Sequence, residues 1–357
     1  MEEYKVLAIN PGSTSTKITV YQEEKEIFVS TLRHSNEELE KFETISEQLD
    51  FRKDIVEASL RDSGIPSAEL NAVVGRGGLL KPISGGTYHV NEAMLKDLEL
   101  GVLGEHASNL GGRIAHIIAT ENNIPAYIVD PVVVDELSPV ARISGVPELD
   151  RKSIFHALNQ KAVARKYAKE IGKDYKDLNL IVVHMGGGVS VGAHKDGMVV
   201  DVNNALDGDG PFSPERAGGV PAGDLVKMTA GANHDLSYIK KRLKGNGGLV
   251  GYLGTTDVRD VLKMVDEGND KAELIFDAMI YQIAKEIGAF TSVLKGKVDA
   301  ILLTGGIAYS EVVVSKIRDY VEYVSQIKVY PGEDEMAALT EGALRVLRGE
   351  EKSKEYI

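Results

Sequence analysis

Residues 6–32 read VLAINPGSTSTKITVYQEEKEIFVSTL, and residues 180–206 read LIVVHMGGGVSVGAHKDGMVVDVNNAL. In each stretch an apolar strand reaches a turn of small residues, a second strand follows, and a charged turn reverses the chain again. A layout that occurs twice in one chain predicts two domains built on the same plan. We therefore expect two similarly built α/β domains that flank a ligand cleft.

The remainder of the chain alternates short apolar runs with longer helical patterns, which also indicates an α/β fold. We place the domain boundary near the segment VPELDRKS, so that residues 1–150 form an N-terminal domain and residues 151–335 form the second. The last helical pattern fits either domain, and we assign residues 336–357 to the first.

The composition excludes several classes of function. The 357 residues include 41 Lys and Arg against 54 Asp and Glu, a net charge of −13, which disfavours binding to nucleic acid. The absence of Cys excludes disulfides, thiolate metal sites and thiol nucleophiles. Because no long uncharged apolar run occurs, we expect no membrane partner and a soluble cytoplasmic protein.

The first turn has the composition of a phosphate-binding loop, although it lacks the Walker spacing. If residues 13–20 form a strand, Ser13, Ser15 and Lys17 share one face. Two hydroxyls and an ammonium group beside the N–H groups of a Gly-containing turn would hold a phosphate. The alternative is a polar edge strand that faces solvent.

Two further turns place glycines directly after apolar strands. Gly186, Gly187 and Gly188 follow the strand that ends near His184, and Gly305 and Gly306 follow DAILLT. Glycines at these positions allow close backbone approach, and ligands bind where strands of α/β sheets end. Three such turns in one chain favour a nucleotide site.

The order of these turns resembles the actin, hexokinase and Hsp70 superfamily, whose domains have a ribonuclease H-like fold. Within it, INPGSTSTK is similar to the INxGSSSxK start of acetate kinases, and NNALDGDGPFSPERAG is similar to butyrate kinases. The chain is identified as a member of the short-chain carboxylate kinase family, with butyrate kinases the more similar group. The resemblance implies ATP/ADP, Mg²⁺, a small carboxylate substrate, an acyl phosphate product and a homo-oligomer.

The resemblance also assigns roles to individual residues. Catalytic roles fall on Arg76, Asp130 and His156, and contacts with the acid fall on His106 and Phe155. Predicted nucleotide contacts are Asn10, Ser13, Ser15, Lys17, His184, Gly186, Gly187, Gly188, Asp257, Arg259, Gly305 and Gly306. Predicted metal contacts are Asn10 and Glu333, with Asp334 as the alternative to Glu333.

Some of these residues also have a structural interpretation. His106 fits a helix cap, Asp130 fits a turn before Pro131, and Glu333 fits a solvated acidic loop. Acetate kinases carry a second arginine where this chain reads VPAGD, and Arg216 is our suggested replacement.

The acid preference is predicted from a second difference between this chain and acetate kinases. Acetate kinases carry branched residues after their active-site arginine, whereas this chain has Gly77 and Gly78. We interpret Gly78 as space for a longer acid, with Phe155 as an apolar wall, and expect butyrate or isobutyrate to be preferred over acetate.

A short-chain carboxylate is ionised at neutral pH, so phosphoryl transfer to it requires no general base. The obstacle is repulsion between anions, which positioned cations and Mg²⁺ reduce. We predict direct, reversible in-line transfer from ATP to the carboxylate. An acetate or propionate kinase, a sugar or glycerol kinase with Asp130 as base, and an ATP-gated binding protein remain alternatives.

Overall fold

The computed structural model describes residues 3–231 and 235–357. The chain forms two compact units, Met1–Val134 with Asp334–Ile357 as unit 1, and Asp135–Glu333 as unit 2. The predicted boundary near residue 150 lies inside unit 2, because the preceding residues are bonded to that unit. The N–H of Ser138 donates to Val200 O at 2.8 Å, and the buried Glu136 pairs with Lys161 at 2.7 Å.

Unit 1 contains a mixed sheet with the strand order β3-β2-β1-β4-β6-β5. The strands are β1 (Lys5–Pro11), β2 (Ser15–Gln22), β3 (Lys25–Arg33), β4 (Ala72–Arg76), β5 (Thr87–His89) and β6 (Ala126–Val129). The first three strands pair antiparallel, whereas β1, β4 and β6 run parallel. Parallel neighbours bring their carboxyl ends to one edge of the sheet, where residues 10, 76 and 130 lie.

Unit 2 contains a mixed sheet with the order β11-β10-β7-β8-β9. The strands are β7 (Leu180–Met185), β8 (Val189–Lys195), β9 (Met198–Val202), β10 (Ala300–Gly305) and β11 (Ile327–Pro331). Their pairings repeat those of β1, β2, β3, β4 and β6, antiparallel in the hairpins and parallel beyond them. The predicted α/β fold with two similarly built domains is confirmed.

Helices cover these sheets. Those of unit 1 are α1 (Asn36–Leu39), α2 (Leu49–Asp62), α3 (Glu92–Leu100), α4 (Asn109–Glu121) and, after unit 2 in the chain, α13 (Glu335–Leu347). Those of unit 2 are α5 (Pro139–Arg142), α6 (Ala157–Glu170), α7 (Ala222–Ala230), α8 (Leu236–Leu243), α9 (Gly248–Leu253), α10 (Val258–Asp266), α11 (Asp270–Val293) and α12 (Glu311–Val321). In the described ranges, no helix combines the length and apolarity needed to span a membrane.

Each sheet lies in its own apolar core. Val6, Leu7, Ala8 and Ile9 are all fully buried, as expected for a strand that is covered on both faces. The final helix, α13, packs against β1, β4 and β6, so the last helical segment belongs to the core of unit 1. It begins at Glu335 and thereby brings this residue to the strand ends.

Candidate active site

The first turn exposes the side chains that the sequence assigned to phosphate. Gly12 N donates to Ser15 O at 2.7 Å and closes the turn. Lys17 is exposed and Ser15 is half-buried, whereas Thr16 and Ile18 are buried. Ser13 lies in the turn itself and is also exposed. The face that carries Ser15 and Lys17 is therefore the accessible one.

Three polar side chains meet at the edge of the sheet in unit 1. Asn10 follows the parallel pairing of β1 with β4, and Arg76 ends β4. The amide of Asn10 donates to Glu335 Oε2 at 2.6 Å, and Arg76 forms an ion pair with Glu335 Oε1. Both ion-pair side chains are about a quarter exposed, at 27% and 26%. The cluster therefore combines a cation, an anion and an amide at an accessible edge.

The sequence did not identify Glu335, because three consecutive acidic residues, Glu333, Asp334 and Glu335, stand at the start of α13. Asp334 caps α13 by accepting from Ala337 N at 3.0 Å, so its side chain is used by the helix. Glu333 belongs to unit 2, where its Oε1 lies 3.0 Å from His184 Nε2. The carboxylate beside Asn10 is thus Glu335, whereas the sequence named Glu333 or Asp334 as the metal contact, and that metal role stays a prediction. The helix-cap pattern was the signal that could have located it.

Asp130 directly follows β6 in a strained backbone conformation. Its φ is 36°, which is uncommon for a residue other than glycine. Asp130 is 1% exposed, its N–H donates to Gly86 O at 3.1 Å, and its Oδ1 accepts from Gly86 N at 2.7 Å. Since Arg76 pairs with Val129 across the sheet, Asp130 lies at the same edge as Arg76.

His106 is exposed and precedes α4. Its Nδ1 accepts from Ser108 N at 3.2 Å and lies 2.8 Å from Ser108 Oγ. This contact supports the start of the helix and leaves Nε2 as the nitrogen that carries the proton in the neutral ring.

The space beside Gly78 is filled by protein. A Cβ at Gly78 would lie 2.5 Å from Asn109 Oδ1, 2.6 Å from Asn109 Cα and 2.8 Å from Leu98 Cδ2. A Cβ at Gly77 would lie 2.6 Å from Pro131 Cβ. The prediction that Gly78 widens the acid pocket is therefore wrong, because glycine is required here for the close approach of α4.

In unit 2, two predicted site histidines stack on each other. The rings of His156 and His184 are 3.7 Å apart with an interplanar angle of 10°. His156 Nδ1 lies 3.0 Å from Ser190 Oγ, and His184 Nδ1 lies 2.8 Å from Asn159 Oδ1. The contact of His184 with Glu333 is an ion-pair distance without the alignment of a hydrogen bond. Phe155, which precedes His156, is 2% exposed.

The supporting Ser190 and Asn159 were not predicted. Ser190 lies on β8 and also accepts from Gln160 Nε2 at 2.8 Å, whereas Asn159 lies in the first turn of α6. No sequence motif connects these residues with the histidines. Their spacing in the chain gives no signal of the contact.

The second turn lies against the predicted Arg216. A Cβ at Gly188 would lie 1.9 Å from Arg216 Nη1, and one at Gly187 would lie 3.0 Å from Glu215 Oε1. Arg216 Nη1 donates to Ala205 O at 2.6 Å. Burial lowers the pKa of Arg216 from its ordinary value, which is high enough that the group stays charged. Arg216 therefore places a cation beside the second turn.

The third turn is open on one side. Gly305 has a φ of 88°, and a Cβ there would lie 2.3 Å from Met185 O, so only glycine fits. Apart from its neighbours in the chain, no described residue has an atom within 4 Å of a Cβ built at Gly306. A ligand can therefore approach the backbone of Gly306.

Asp257 and Arg259 pair with each other at the start of α10. Asp257 Oδ1 accepts from Arg259 N at 2.8 Å, and Arg259 Nη2 donates to Asp257 Oδ2 at 2.5 Å. These hydrogen bonds lower the pKa of Asp257 to about 2. Their predicted role toward the nucleotide stays a prediction.

Comparison with known proteins places the chain in a family. The acetokinase family matches residues 147–338. Butyrate kinase 1 of Clostridium acetobutylicum is 62% identical over 353 residues, which cover 99% of each chain. This chain belongs to the acetokinase family. Butyrate kinase 2 of the same organism is 58% identical over 354 residues, again covering 99% of each chain.

Solved structures of acetokinase relatives share the fold. Acetate kinase of Porphyromonas gingivalis superposes with a TM-score of 0.78 at 18% identity, covering 96% of this chain and 100% of that one. Propionate kinase of Francisella tularensis superposes with a TM-score of 0.74 at 18% identity, covering 95% of this chain and 98% of that one. As a member of the acetokinase family, the chain is an ATP-dependent carboxylate phosphotransferase, which confirms the predicted class of enzyme.

Proposed function

We propose that this chain transfers the γ-phosphoryl group of ATP to butyrate or a closely related branched acid such as isobutyrate, giving ADP and an acyl phosphate. The observation that carries the proposal is the 62% identity with Butyrate kinase 1 over 99% of both chains. Acetate and propionate kinases share the fold at 18% identity, and that similarity does not extend to the choice of acid.

Because the attacking carboxylate is already an anion, the residues must reduce repulsion rather than remove a proton. We assign Arg76 to the transferring phosphoryl group. Its planar guanidinium can bind two oxygens at once, and its ion pair with Glu335 holds it at the sheet edge. Asp130, held by Gly86, acts as a positioning group at the same edge.

In unit 2 we assign His156 and Arg216 to the same charge-stabilising role. Ser190 and the ring of His184 fix the orientation of His156, and Ala205 O orients Arg216. Phe155 and His106 are proposed contacts of the acid.

We assign the ATP phosphates to Ser13, Ser15 and Lys17 in the first turn, and to Gly186, Gly187 and Gly188 beside His184. We assign the adenosine to Gly305 and Gly306, and we propose Asp257 and Arg259 as further contacts of the nucleotide. Accessible N–H groups at Gly turns favour bound anions.

The residues of unit 1 fit an Mg²⁺ site with few protein ligands, which is the kind of site that phosphotransferases use. In such enzymes one or two carboxylates suffice, because phosphate oxygens and water complete the shell. Glu335 beside the amide of Asn10 supplies this set. When bound, Mg²⁺ would neutralise charge on the phosphates. We propose Glu335 and Asn10, rather than Glu333, as the protein contacts of the metal.

The test is a hydroxamate assay with MgATP and unbranched and branched acids of two to six carbons. We expect the highest kcat/KM with butyrate or isobutyrate. Higher kcat/KM with acetate or propionate would contradict the proposed acid. In a parallel coupled assay of ADP, turnover only with glucose or glycerol would contradict the whole proposal.

We also propose a cytoplasmic homo-oligomer of at least two copies, as the family resemblance implied. Light scattering on the protein as it elutes from a size-exclusion column measures its mass directly. A mass near the 38.6 kDa of one chain at micromolar concentration would contradict the oligomer.

A further inference from the structure

Arg52 on α2 is a buried cation that the proposed chemistry does not use. It is 1% exposed. Within the described part of the chain, each hydrogen bond of its guanidinium goes to a neutral oxygen. Burying a guanidinium without a carboxylate partner is costly, so its position requires an explanation.

The guanidinium holds the first turn from the inside. Nη1 donates to Gly12 O at 2.7 Å and to Ser15 O at 3.2 Å, and Nη2 donates to Ser13 O at 3.0 Å. Gln48 Oε1 anchors the other side of the group, accepting from Nε at 3.0 Å and from Nη2 at 2.8 Å. One side chain thus fixes three carbonyl groups of a four-residue turn.

These bonds also orient the N–H groups of the turn. In a trans peptide the carbonyl and the N–H of the next residue point in opposite directions. Because the carbonyls of Gly12 and Ser13 point toward Arg52, the N–H groups of Ser13 and Thr14 point away from it. Neither N–H donates to an acceptor in the described part of the chain, and both residues are exposed. The outer side of the turn therefore presents two backbone donors.

The surroundings leave Arg52 as the charged group. Burial and the charge of Arg52 both lower the pKa of the neighbouring His34, which favours the neutral ring. His34 Nε2 lies 2.9 Å from Thr16 Oγ1, and Thr16 Oγ1 lies 3.2 Å from Arg52 Nη1. A positive charge thus lies behind the two outward N–H groups.

We propose that Arg52 is a positioning residue that shapes the turn from Gly12 to Ser15 to bind a phosphate group of ATP, with its buried charge balanced by that phosphate. The inference rests on the proposed binding of ATP phosphates by this turn. Arg52 itself does not touch the nucleotide. Its effect is to orient the backbone donors and to add a positive potential behind them.

The experiment measures binding of ATP, tripolyphosphate and adenosine by titration calorimetry, without acid, for the full chain and its variants. Arg52→Met should raise the Kd for ATP and tripolyphosphate by about tenfold or more, since charge and orientation are lost together. Arg52→Lys should give a smaller rise, because it keeps the charge and loses the planar fork. The Kd for adenosine should stay unchanged, and so should the KM for butyrate when it is measured separately in the hydroxamate assay.

Arg61→Met is the matched control, because Arg61 lies on the same helix with its side chain 71% exposed. It should change none of these values. If Arg52→Met does not fold, Gln48→Leu tests the same point by removing only the anchor of the guanidinium. It should weaken the binding of ATP and leave the binding of adenosine unchanged.

Several results would overturn the inference. The first is an unchanged Kd for ATP in folded Arg52→Met. The second is an equal loss of affinity for ATP and for adenosine in that variant. If Arg52→Met does not fold, the third is a Gln48→Leu variant that shows no selective loss of affinity for ATP. A parent protein that binds ATP but phosphorylates no acid would reject the proposed function alone. A parent protein that does not bind ATP would reject both.

Discussion

The substitution Glu335→Gln tests which carboxylate acts with the metal. It removes one negative charge beside Asn10 and Arg76 and keeps the size of the side chain. If Glu335 contacts Mg²⁺, the variant should need more Mg²⁺ for half-maximal rate. Its kcat should fall by about 100- to 1,000-fold, which is the usual cost of losing one preorganised electrostatic contact.

The effect on stability should be small. The side chains of Arg76 and Glu335 are 27% and 26% exposed, so solvent screening limits the ion pair to about 1 kcal/mol. For a domain of the size of unit 1, that loss lowers Tm by about 2–4 °C. A large fall in kcat with a small fall in Tm therefore separates a functional role from a structural one.

The assay is acyl hydroxamate formation at a series of Mg²⁺ concentrations, together with a melting curve for each variant. Glu333→Gln is the matched control, because Glu333 lies two positions earlier and contacts His184. We expect it to keep the Mg²⁺ dependence of the parent. A parent-like Glu335→Gln beside a Glu333→Gln that needs more Mg²⁺ would refute our assignment.

Three other substitutions have defined outcomes. Burial raises the pKa of Glu286 to about 7, with the charge of Asp209 adding to the effect; the folded state therefore binds a proton there that the unfolded state releases, and stability falls as pH rises toward 7. Glu286→Gln should thus raise Tm at pH 8 and leave it nearly unchanged at pH 5, and equal shifts at both pH values would contradict this. Gly78→Ala places a Cβ against Asn109 and should cost about 1–3 kcal/mol of unfolding free energy, without changing the ratio of kcat/KM for butyrate and acetate. Arg76→Lys should lower kcat by about 100-fold with little change in Tm, and a near-normal kcat would remove Arg76 from the site.

The parts of the fold that depend on local pattern were predictable from the sequence. Apolar strands that end in small-residue turns occur at Val6 and Leu180, and the two sheets repeat the same pairings. The rule that parallel strands bring their carboxyl ends to one edge also accounts for the position of Asn10, Arg76 and Asp130 at the same edge of the sheet. These inferences need only the periodicity of strands and the chemistry of turns.

The remaining features depend on contacts between distant segments. Gly78 was interpreted as empty volume because a sequence shows a missing side chain and not the helix that fills its place. Ser190 and Asn159 support two histidines from positions that no spacing rule connects. Glu335 was missed because neighbouring residues of one acidic run have different contacts. Asp334 caps α13, whereas Glu335 contacts the residues at the strand ends. In each case tertiary packing selects among residues that are chemically alike.

The two repeated turns show how one strand order can carry different chemistry. In the first, Arg52 holds the backbone from behind, and the side chains of Ser13, Ser15 and Lys17 lie on the accessible side. In the second, a Cβ at Gly187 or Gly188 would meet the side chain of Glu215 or Arg216, so only backbone can be presented there. The first turn can therefore offer hydroxyl, ammonium and N–H donors together, whereas the second must depend on its N–H groups and on the neighbouring arginine. Substitutions in the first turn should consequently remove single contacts, whereas a side chain added to the second should displace Glu215 or Arg216.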